Sequence, residues 1–136
     1  PTMANVFYAK GKEKILSADI DWVTDTIKAM LVKNTYPQNL ATDEFLDDVE
    51  AYRLNTDQTL SGKSITNGIF DAADPTWTAV TAGDTSEGVV IYKYTGSAAT
   101  SPVLIYIDSI TGFPLATNGG DITAAWDNSA NKIFSL

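Results

Sequence analysis

The chain contains no histidine and no cysteine in its 136 residues. Without histidine, no imidazole can transfer protons near neutral pH. Without cysteine, there is no thiolate nucleophile, no soft metal ligand and no disulfide. These absences exclude most routes to catalysis and to a zinc site. We therefore expect a protein with no enzymatic activity, no cofactor and no metal.

Basic residues and long apolar runs are also scarce. Nine residues are basic and 17 are acidic, which gives a formal net charge of −8, and Arg53 is the only arginine. Nucleic-acid binding needs clusters of lysine and arginine, which this chain lacks. No run approaches the roughly 18 apolar residues of a membrane helix, and an anionic membrane surface would repel the chain. We expect neither nucleic acid nor membrane as a partner, whereas a cationic protein surface would suit the acidic excess.

The residues that are present predict one β-rich domain. Hydrophobic residues make up 44% of the chain, and a domain of this length buries about two-thirds of its unfolded surface. Short apolar runs between turn residues predict strands at 64–70, 77–80, 88–94, 103–107, 121–126 and 132–136. The runs at 89–94 and 103–107 are mostly apolar and contain aromatic residues, which predicts a central antiparallel pair with both faces at least partly covered. We expect a mainly β fold, an antiparallel β-sandwich or barrel-like domain with one or two short helices.

The first half of the chain is less clearly patterned. Short helices are predicted near 11–17 and 42–49. In 18–33, apolar residues recur at helical spacing, yet part of this segment also alternates as in a strand. These residues alone leave helix and strand equally open.

Residues 1–12 are predicted to form an N-terminal arm that leads into a single domain over 13–136. Asn5, Val6, Phe7 and Tyr8 bring an apolar cluster before Gly11, which we interpret as a flexible point. The alternative is that this segment is an edge strand of the domain itself.

Carboxylates are the only catalytic groups that the composition leaves open. Paired carboxylates serve glycosidases, and oxygen ligands suit calcium. The candidate glycosidase carboxylates are Asp43, Glu44, Asp47, Asp48, Asp71 and Asp74, and the candidate calcium ligands are Asp19, Asp21, Asp25, Asp71 and Asp74. Neither acidic run has the glycine and distal glutamate of an EF-hand loop. The simpler interpretations are a solvated acidic face for the cluster at 43–48, helix capping by Asp19, and turn-forming by Asp71 and Asp74.

Aromatic residues indicate either core or interface. Tyr92 and Tyr94 are two residues apart, which places them on one strand face, and Tyr106 lies in the next predicted strand. Tyrosine is enriched at subunit interfaces, so these three residues are candidates for an oligomer interface, with core packing as the alternative. Trp22, Trp77 and Trp126 are interpreted as core residues or interface anchors.

The order of motifs along the chain resembles a widespread group of small structural proteins of tailed bacteriophages. The segments that carry the resemblance are MANV (3–6), KGKE (10–13), DTIKAMLV (25–32), ATDEFL (41–46), DAADPTWTAV (71–80), VIYKYTG (90–96), ATSPVLIYID (99–108), NGGDIT (118–123) and WD (126–127). Together they extend over nearly the whole chain. Members of this group are regarded as capsid decoration (cement) proteins or as unassigned virion proteins. The resemblance also favours a strand over 26–33.

The resemblance implies a virion component, and we expect it on the outer capsid surface. Its partners would be the major capsid protein and further copies of itself in a homotrimer or another small cyclic oligomer. As a hypothesis, residues 5–8 make much of the capsid contact. The alternative is a module of the tail, neck or fibre that recognises a host glycan or another tail protein through Trp77 and the loops at 71–77 and 111–120. A carboxylate-dependent glycosidase is third.

Overall fold

The computed structural model describes residues 5–126 and 133–135. The chain begins with β1 (Asn5–Phe7) and α1 (Ala9–Leu16), followed by β2 (Ile27–Lys33) and two 3-10 turns, Leu46–Asp48 and Glu50–Tyr52. The remaining strands are β3 (Arg53–Thr59), β4 (Ser64–Thr66), β5 (Ile69–Asp71), β6 (Thr76–Trp77), β7 (Thr85–Lys93), β8 (Val103–Ile107), β9 (Leu115–Ala116), β10 (Ile122–Thr123) and β11 (Phe134–Ser135). The fold is mainly β, as the sequence predicts.

One antiparallel sheet forms the centre of the molecule. Its strand order is β1-β8-β7-β2-β3, and β9 pairs with the first residues of β7. Two small sheets accompany it, β10-β6 and β11-β5-β4. Within 5–126 and 133–135 the main sheet has the edge strands β1 and β3, so it is an open layer rather than a closed barrel.

Both faces of the main sheet are buried. On one face, Ile27, Leu31 and Ile91 join a core with side chains of the two small sheets, among them Phe70 and Trp77. On the other face, Met30, Val90 and Tyr106 pack against the segment before β3, which contributes Tyr36, Leu46 and Val49. A strand segment covered on both sides is apolar throughout, which explains the unbroken apolar runs at Val89–Tyr92 of β7 and along β8.

Several predicted elements are confirmed. The central pair is β7 and β8, with Val89 opposite Ile107 and Ile91 opposite Ile105. The ambiguous segment is a strand at Ile27–Lys33, and α1 matches the predicted helix near 11–17. In the described part of the chain, no helix is long and apolar enough to cross a membrane.

Other predicted elements differ from the structure. The helix expected at 42–49 is present only as the 3-10 turn Leu46–Asp48, in which Asp48 accepts a hydrogen bond from the backbone N–H of Phe45 (3.2 Å). The strand expected at 64–70 is a hairpin of β4 and β5. The residues alone predict neither β3 nor β9 as a strand, and they predict β1 only as the alternative to an arm. The predicted turn at 127–128 and the first and last residues of the predicted strand 132–136 lie outside the described residues.

Candidate functional site

The segment predicted to contact a capsid contains the edge strand β1. Asn5 lies opposite Ile107 and Phe7 opposite Ile105 on β8. Among the described residues no strand lies on the outer side of β1. The Val6 side chain is 37% exposed, whereas the Phe7 ring packs edge-on against Phe134 at 5.1 Å. The alternative interpretation of this segment, an edge strand of the domain, therefore describes residues 5–7.

Tyr8 and Gly11 do not belong to a flexible arm. The Tyr8 side chain is 0% exposed, so it offers no surface to a partner in this conformation. Gly11 is buried in α1, where an added Cβ would lie 2.7 Å from the carbonyl oxygen of Val103. The glycine thus allows close packing of α1 on β8. An arm separate from the domain was predicted at residues 1–12, but residues 5–12 run from β1 directly into α1. Residues 1–4 lie outside the described part.

Tyr8 is part of a buried hydrogen-bond chain. The Tyr36 hydroxyl donates to the Asp43 carboxylate at 2.8 Å. Because that bond uses the only proton of Tyr36, the Tyr8 hydroxyl donates to Tyr36, at 2.6 Å. Burial raises the pKa of both tyrosines well above the ordinary value. The chain therefore keeps two hydroxyls satisfied beneath the segment that covers the sheet.

The three tyrosines predicted at an oligomer interface have different surroundings. Tyr92 and Tyr106 are buried within the chain, and the Tyr106 ring lies 5.7 Å from that of Tyr36. Burial, followed by the charges of Asp108 and Glu87, raises the Tyr106 pKa. Tyr94 follows β7 directly and is 38% exposed. Of the three, Tyr94 has ring surface that a second copy could contact, and the interface itself stays a prediction.

Arg53 is the centre of a second polar network, on β3. Its Nε and Nη2 atoms each donate to the Asp57 carboxylate at 2.8 Å, in a bidentate pair. The Tyr92 hydroxyl donates to the same carboxylate. The Asp57 side chain is nearly buried, and its hydrogen bonds raise the pKa of Arg53. Burial, followed by the hydrogen bond to Asp57, raises the pKa of Tyr92.

A bulge in β3 makes this pair possible. Ala29 of β2 lies opposite Gln58, but Leu31 lies opposite Leu54, so two steps on β2 correspond to four on β3. Asn55 takes a positive φ of 66° there, and its side chain donates to the Thr78 carbonyl at 2.8 Å. The extra residues of β3 do not pair with β2, and this bulge brings the Asp57 carboxylate within hydrogen-bond distance of the Arg53 side chain. An arginine–aspartate pair four residues apart has a helical spacing, so no sequence pattern indicates such a pair within a strand.

A depression of about 320 Å³ opens beside this network. Its lining side chains are Lys28, Leu46, Arg53, Asn55, Thr56, Asp57, Tyr92 and Tyr94. Lys28 lies opposite Tyr92 in the ladder of β2 and β7, and its ammonium nitrogen is 4.1 Å from the centre of the Tyr94 ring. The depression therefore combines two cations, a carboxylate and exposed aromatic surface.

The acidic cluster at 43–48 caps turns. Asp48 accepts hydrogen bonds from the backbone N–H of Glu44 (2.9 Å) and of Phe45 (3.2 Å). Asp43 accepts from the backbone N–H of Asn39 (3.2 Å) in addition to Tyr36. Glu44 forms a long ion pair with Lys14 at 3.9 Å, and Asp47 is exposed. Three of these four carboxylates are thus engaged in contacts that hold the covering segment.

The candidate calcium ligands have similar structural contacts. Asp21 accepts from the backbone N–H groups of Val23 and Thr24, both at 3.1 Å, and these bonds lower its pKa. Asp25 accepts from the backbone N–H of Asp21 at 2.7 Å and pairs with Lys93 at 3.2 Å. Among residues 5–126 and 133–135, no group of three acidic side chains is placed to hold a metal ion.

The structure also shows where the three tryptophans lie, and where the two loops lie that the alternative prediction of a tail module would use. Trp77 is 0% exposed, and Trp22 and Trp126 are buried, so all three are core residues. The loop at 71–77 includes Asp74, whose carboxylate accepts from the backbone N–H of Trp126 at 3.0 Å. Part of the loop at 111–120 is the short strand β9. Trp77 is therefore not available to a glycan or a tail protein in this conformation.

Comparison with known proteins identifies no family for this chain. No protein-family model matches the chain, and no curated protein sequence matches it.

Proposed function

We propose that this chain is a non-enzymatic structural protein of a bacteriophage virion, a capsid decoration protein that binds the outer surface of the major capsid shell. Two things support the proposal. The first is the resemblance to small phage structural proteins along nearly the whole chain. The second is the outer edge of β1, which carries the proposal on the structural side.

The edge of β1 suits the addition of a strand from another protein. The backbone N–H of Tyr8 donates to the Leu104 carbonyl at 3.0 Å. Antiparallel pairing alternates, so the N–H and carbonyl of Phe7 point away from β8. A capsid segment paired there would extend the main sheet, with main-chain hydrogen bonds for affinity and Val6 as an apolar contact.

The mechanism would be mechanical. Packed DNA presses a capsid shell outward, and a protein that bridges capsid subunits adds interface that must break before the shell opens. An interface of about 1,600 Å² suffices for specific attachment. Binding to the assembled shell alone stabilises that shell by mass action. The homotrimer belongs to the same proposal, and sedimentation velocity of the purified protein would test it.

Copy number is the first experiment. Quantitative mass spectrometry of purified virions would compare this chain with the major capsid protein. We expect close to one copy per capsid subunit. A few copies per hundred capsid subunits would place the protein in the tail or a fibre, and absence from virions would overturn the structural proposal.

A substitution in β1 tests the contact directly. Val6→Lys places a charge on the edge, which opposes strand addition, and should weaken binding to shells that lack the protein by about tenfold or more. Ile65→Lys is the matched control, because Ile65 is an exposed β-branched residue on β4, in a different sheet. Cosedimentation with shells measures both. If Val6→Lys binds as well as Ile65→Lys, the β1 contact is wrong even where copy number supports a decoration protein.

A further inference from the structure

The depression beside Arg53 has an excess of hydrogen-bond donors, although the protein as a whole is strongly acidic. It lies on the face of the main sheet that the segment before β3 covers, beside Leu46 of that segment. It is near the β3 edge, at the opposite side of the sheet from β1. Its chemistry is therefore separate from the proposed capsid contact.

Lys28 is the first reason to expect a ligand. The chain has 17 acidic residues against nine basic ones, yet within the described residues Lys28, a partly buried residue, has no ion pair and no hydrogen bond. Its ammonium nitrogen lies 4.1 Å from the centre of the Tyr94 ring. This contact leaves the N–H groups of the ammonium without an acceptor from the described part of the protein. An anion in the depression would supply the missing partner.

Arg53 is the second reason. The bidentate pair with Asp57 uses Nε and one hydrogen of Nη2. Nη1 lies 3.5 Å from a Glu50 oxygen, which is longer than the roughly 2.7–2.9 Å of a charge-assisted hydrogen bond. Asp57 also fixes the plane of the guanidinium, so the remaining donors of Arg53 have a set direction. A fixed guanidinium fork matches a planar carboxylate.

The rest of the lining suits a small ligand with hydroxyl groups and an apolar face. Thr56 contributes a hydroxyl, while Leu46 and the Tyr94 ring contribute apolar surface. The volume of about 320 Å³ is near the lower limit of ligand pockets, about 300 Å³, which is room for one ring-sized unit. The open side would allow a longer saccharide to continue into solvent.

We propose that this depression binds a sugar acid, with the carboxylate between Lys28 and Arg53 and the ring against Leu46 and Tyr94. Such a ligand satisfies the free donors, neutralises the unpaired ammonium and uses the apolar walls. Neutral sugars would leave the charge of Lys28 uncompensated, and a bare carboxylate would leave the walls uncovered.

Amide NMR titration of the whole chain with D-glucuronate and D-galacturonate tests this assignment. We expect saturable shifts confined to β2 near Lys28, to 53–57 and to 92–94. D-Glucose and acetate are the comparison probes, the first without a carboxylate and the second without a ring. Shifts from acetate at equal concentration that match those from both sugar acids would overturn the assignment, as would no saturable shift from either sugar acid.

Matched lysine variants separate a built site from general charge. Lys28→Ala should weaken binding by about tenfold or more. Lys33→Ala removes the same charge from the other end of the same strand, outside the depression, and should leave binding unchanged. Equal effects of the two substitutions would overturn the site. Arg53→Lys keeps the charge and loses the fork, and should weaken binding in a chain whose NMR spectrum is otherwise native.

Discussion

At the scale of single residues, stability depends on a few positions where an added methyl group would clash with the backbone, or where a removed hydroxyl would leave a buried group without its hydrogen bond. Gly88 is such a place in β7. An added Cβ would lie 2.5 Å from the carbonyl oxygen of Ile107 and 3.2 Å from the Cα of Asp108. Both are backbone atoms of β8 and the residue after it, so they cannot move as a side chain can.

We therefore expect Gly88→Ala to destabilise the protein by about 1–3 kcal/mol, the usual cost of overpacking. Urea unfolding followed by circular dichroism measures it. Gly120→Ala is the control, since its nearest neighbour is the side-chain oxygen of Asn118 at 2.9 Å, which can move at the cost of one exposed hydrogen bond from the Gly120 N–H. Equal losses for the two variants would contradict this explanation.

The hydrogen-bond chain Tyr8–Tyr36–Asp43 leads to a second prediction at the residue scale. Tyr36→Phe removes the acceptor of the fully buried Tyr8 hydroxyl, and an unsatisfied buried group costs about 1–3 kcal/mol. Tyr52→Phe is the matched control, because the Tyr52 ring stacks near Tyr36 at 5.5 Å while its hydroxyl has no hydrogen-bond partner within 5–126 and 133–135. Urea unfolding should separate the two variants, and similar midpoints would argue against the buried chain.

At the scale of elements, the hairpin of β4 and β5 turns at Asn67 and Gly68. Both residues have positive φ, 53° and 78°, the combination that a type I′ turn requires. Asn-Gly is the strongest short-range signal for such a turn. One continuous strand over 64–70 was predicted because that prediction used the apolar residues and not the Asn67-Gly68 dipeptide between them.

We expect Gly68→Ala to cost about 1–2 kcal/mol, because a Cβ is unfavourable in the left-handed region. Asn67→Gly keeps the turn and should change stability by less than about 0.5 kcal/mol. Thermal unfolding of both variants measures the difference. A Gly68→Ala variant as stable as the wild type would mean that the turn does not depend on the glycine.

The elements that the sequence predicts well are those whose pattern is complete within a few residues. β8 and the segment Val89–Tyr92 of β7 are unbroken apolar runs, and their burial on two faces follows from that. β2 needed the family resemblance, because Ile27–Lys33 fits a helix as well as a strand. β1 is three residues long and gains its strand structure only from pairing with β8, about 100 residues away in sequence.

The candidate sites were harder to predict than the fold, for the same physical reason. The Arg53–Asp57 pair depends on a bulge set by the register of β2 against β3, which no local pattern encodes. The burial of Tyr8 and Trp77 depends on which segments cover the sheet. Conversely, the capping contacts of Asp21 and Asp48 are local, because each carboxylate accepts from backbone N–H groups within four residues of it.

At the scale of the whole molecule, four tyrosines make the stability of the fold depend on pH in the alkaline range. Burial raises the pKa of Tyr8, Tyr36, Tyr92 and Tyr106 in the folded chain from the ordinary value of 10.0. Above that value the unfolded chain releases protons that the folded chain retains. The unfolded state then binds fewer protons, so stability must fall as pH rises.

We expect full stability from these groups below pH 10.0 and a progressive loss above it. Ultraviolet absorbance of tyrosinate and circular dichroism should be followed together in an alkaline titration. These four tyrosines should ionise only as the β signal disappears. Ionisation of all six tyrosines in the chain before any loss of structure would contradict their burial.

The strand order also has a consequence for synthesis on the ribosome. β2 pairs with β7, and β1 pairs with β8, whose last residue is Ile107. During synthesis β2 can pair with β3 once residue 59 has emerged, but β1 has no strand partner and β7 lacks one of its partners until β8, Val103–Ile107, has been made. Until then, the excess of acidic over basic residues opposes association of one nascent chain with another. The interval before β8 emerges is therefore when β1 and β7 are most exposed to misassembly.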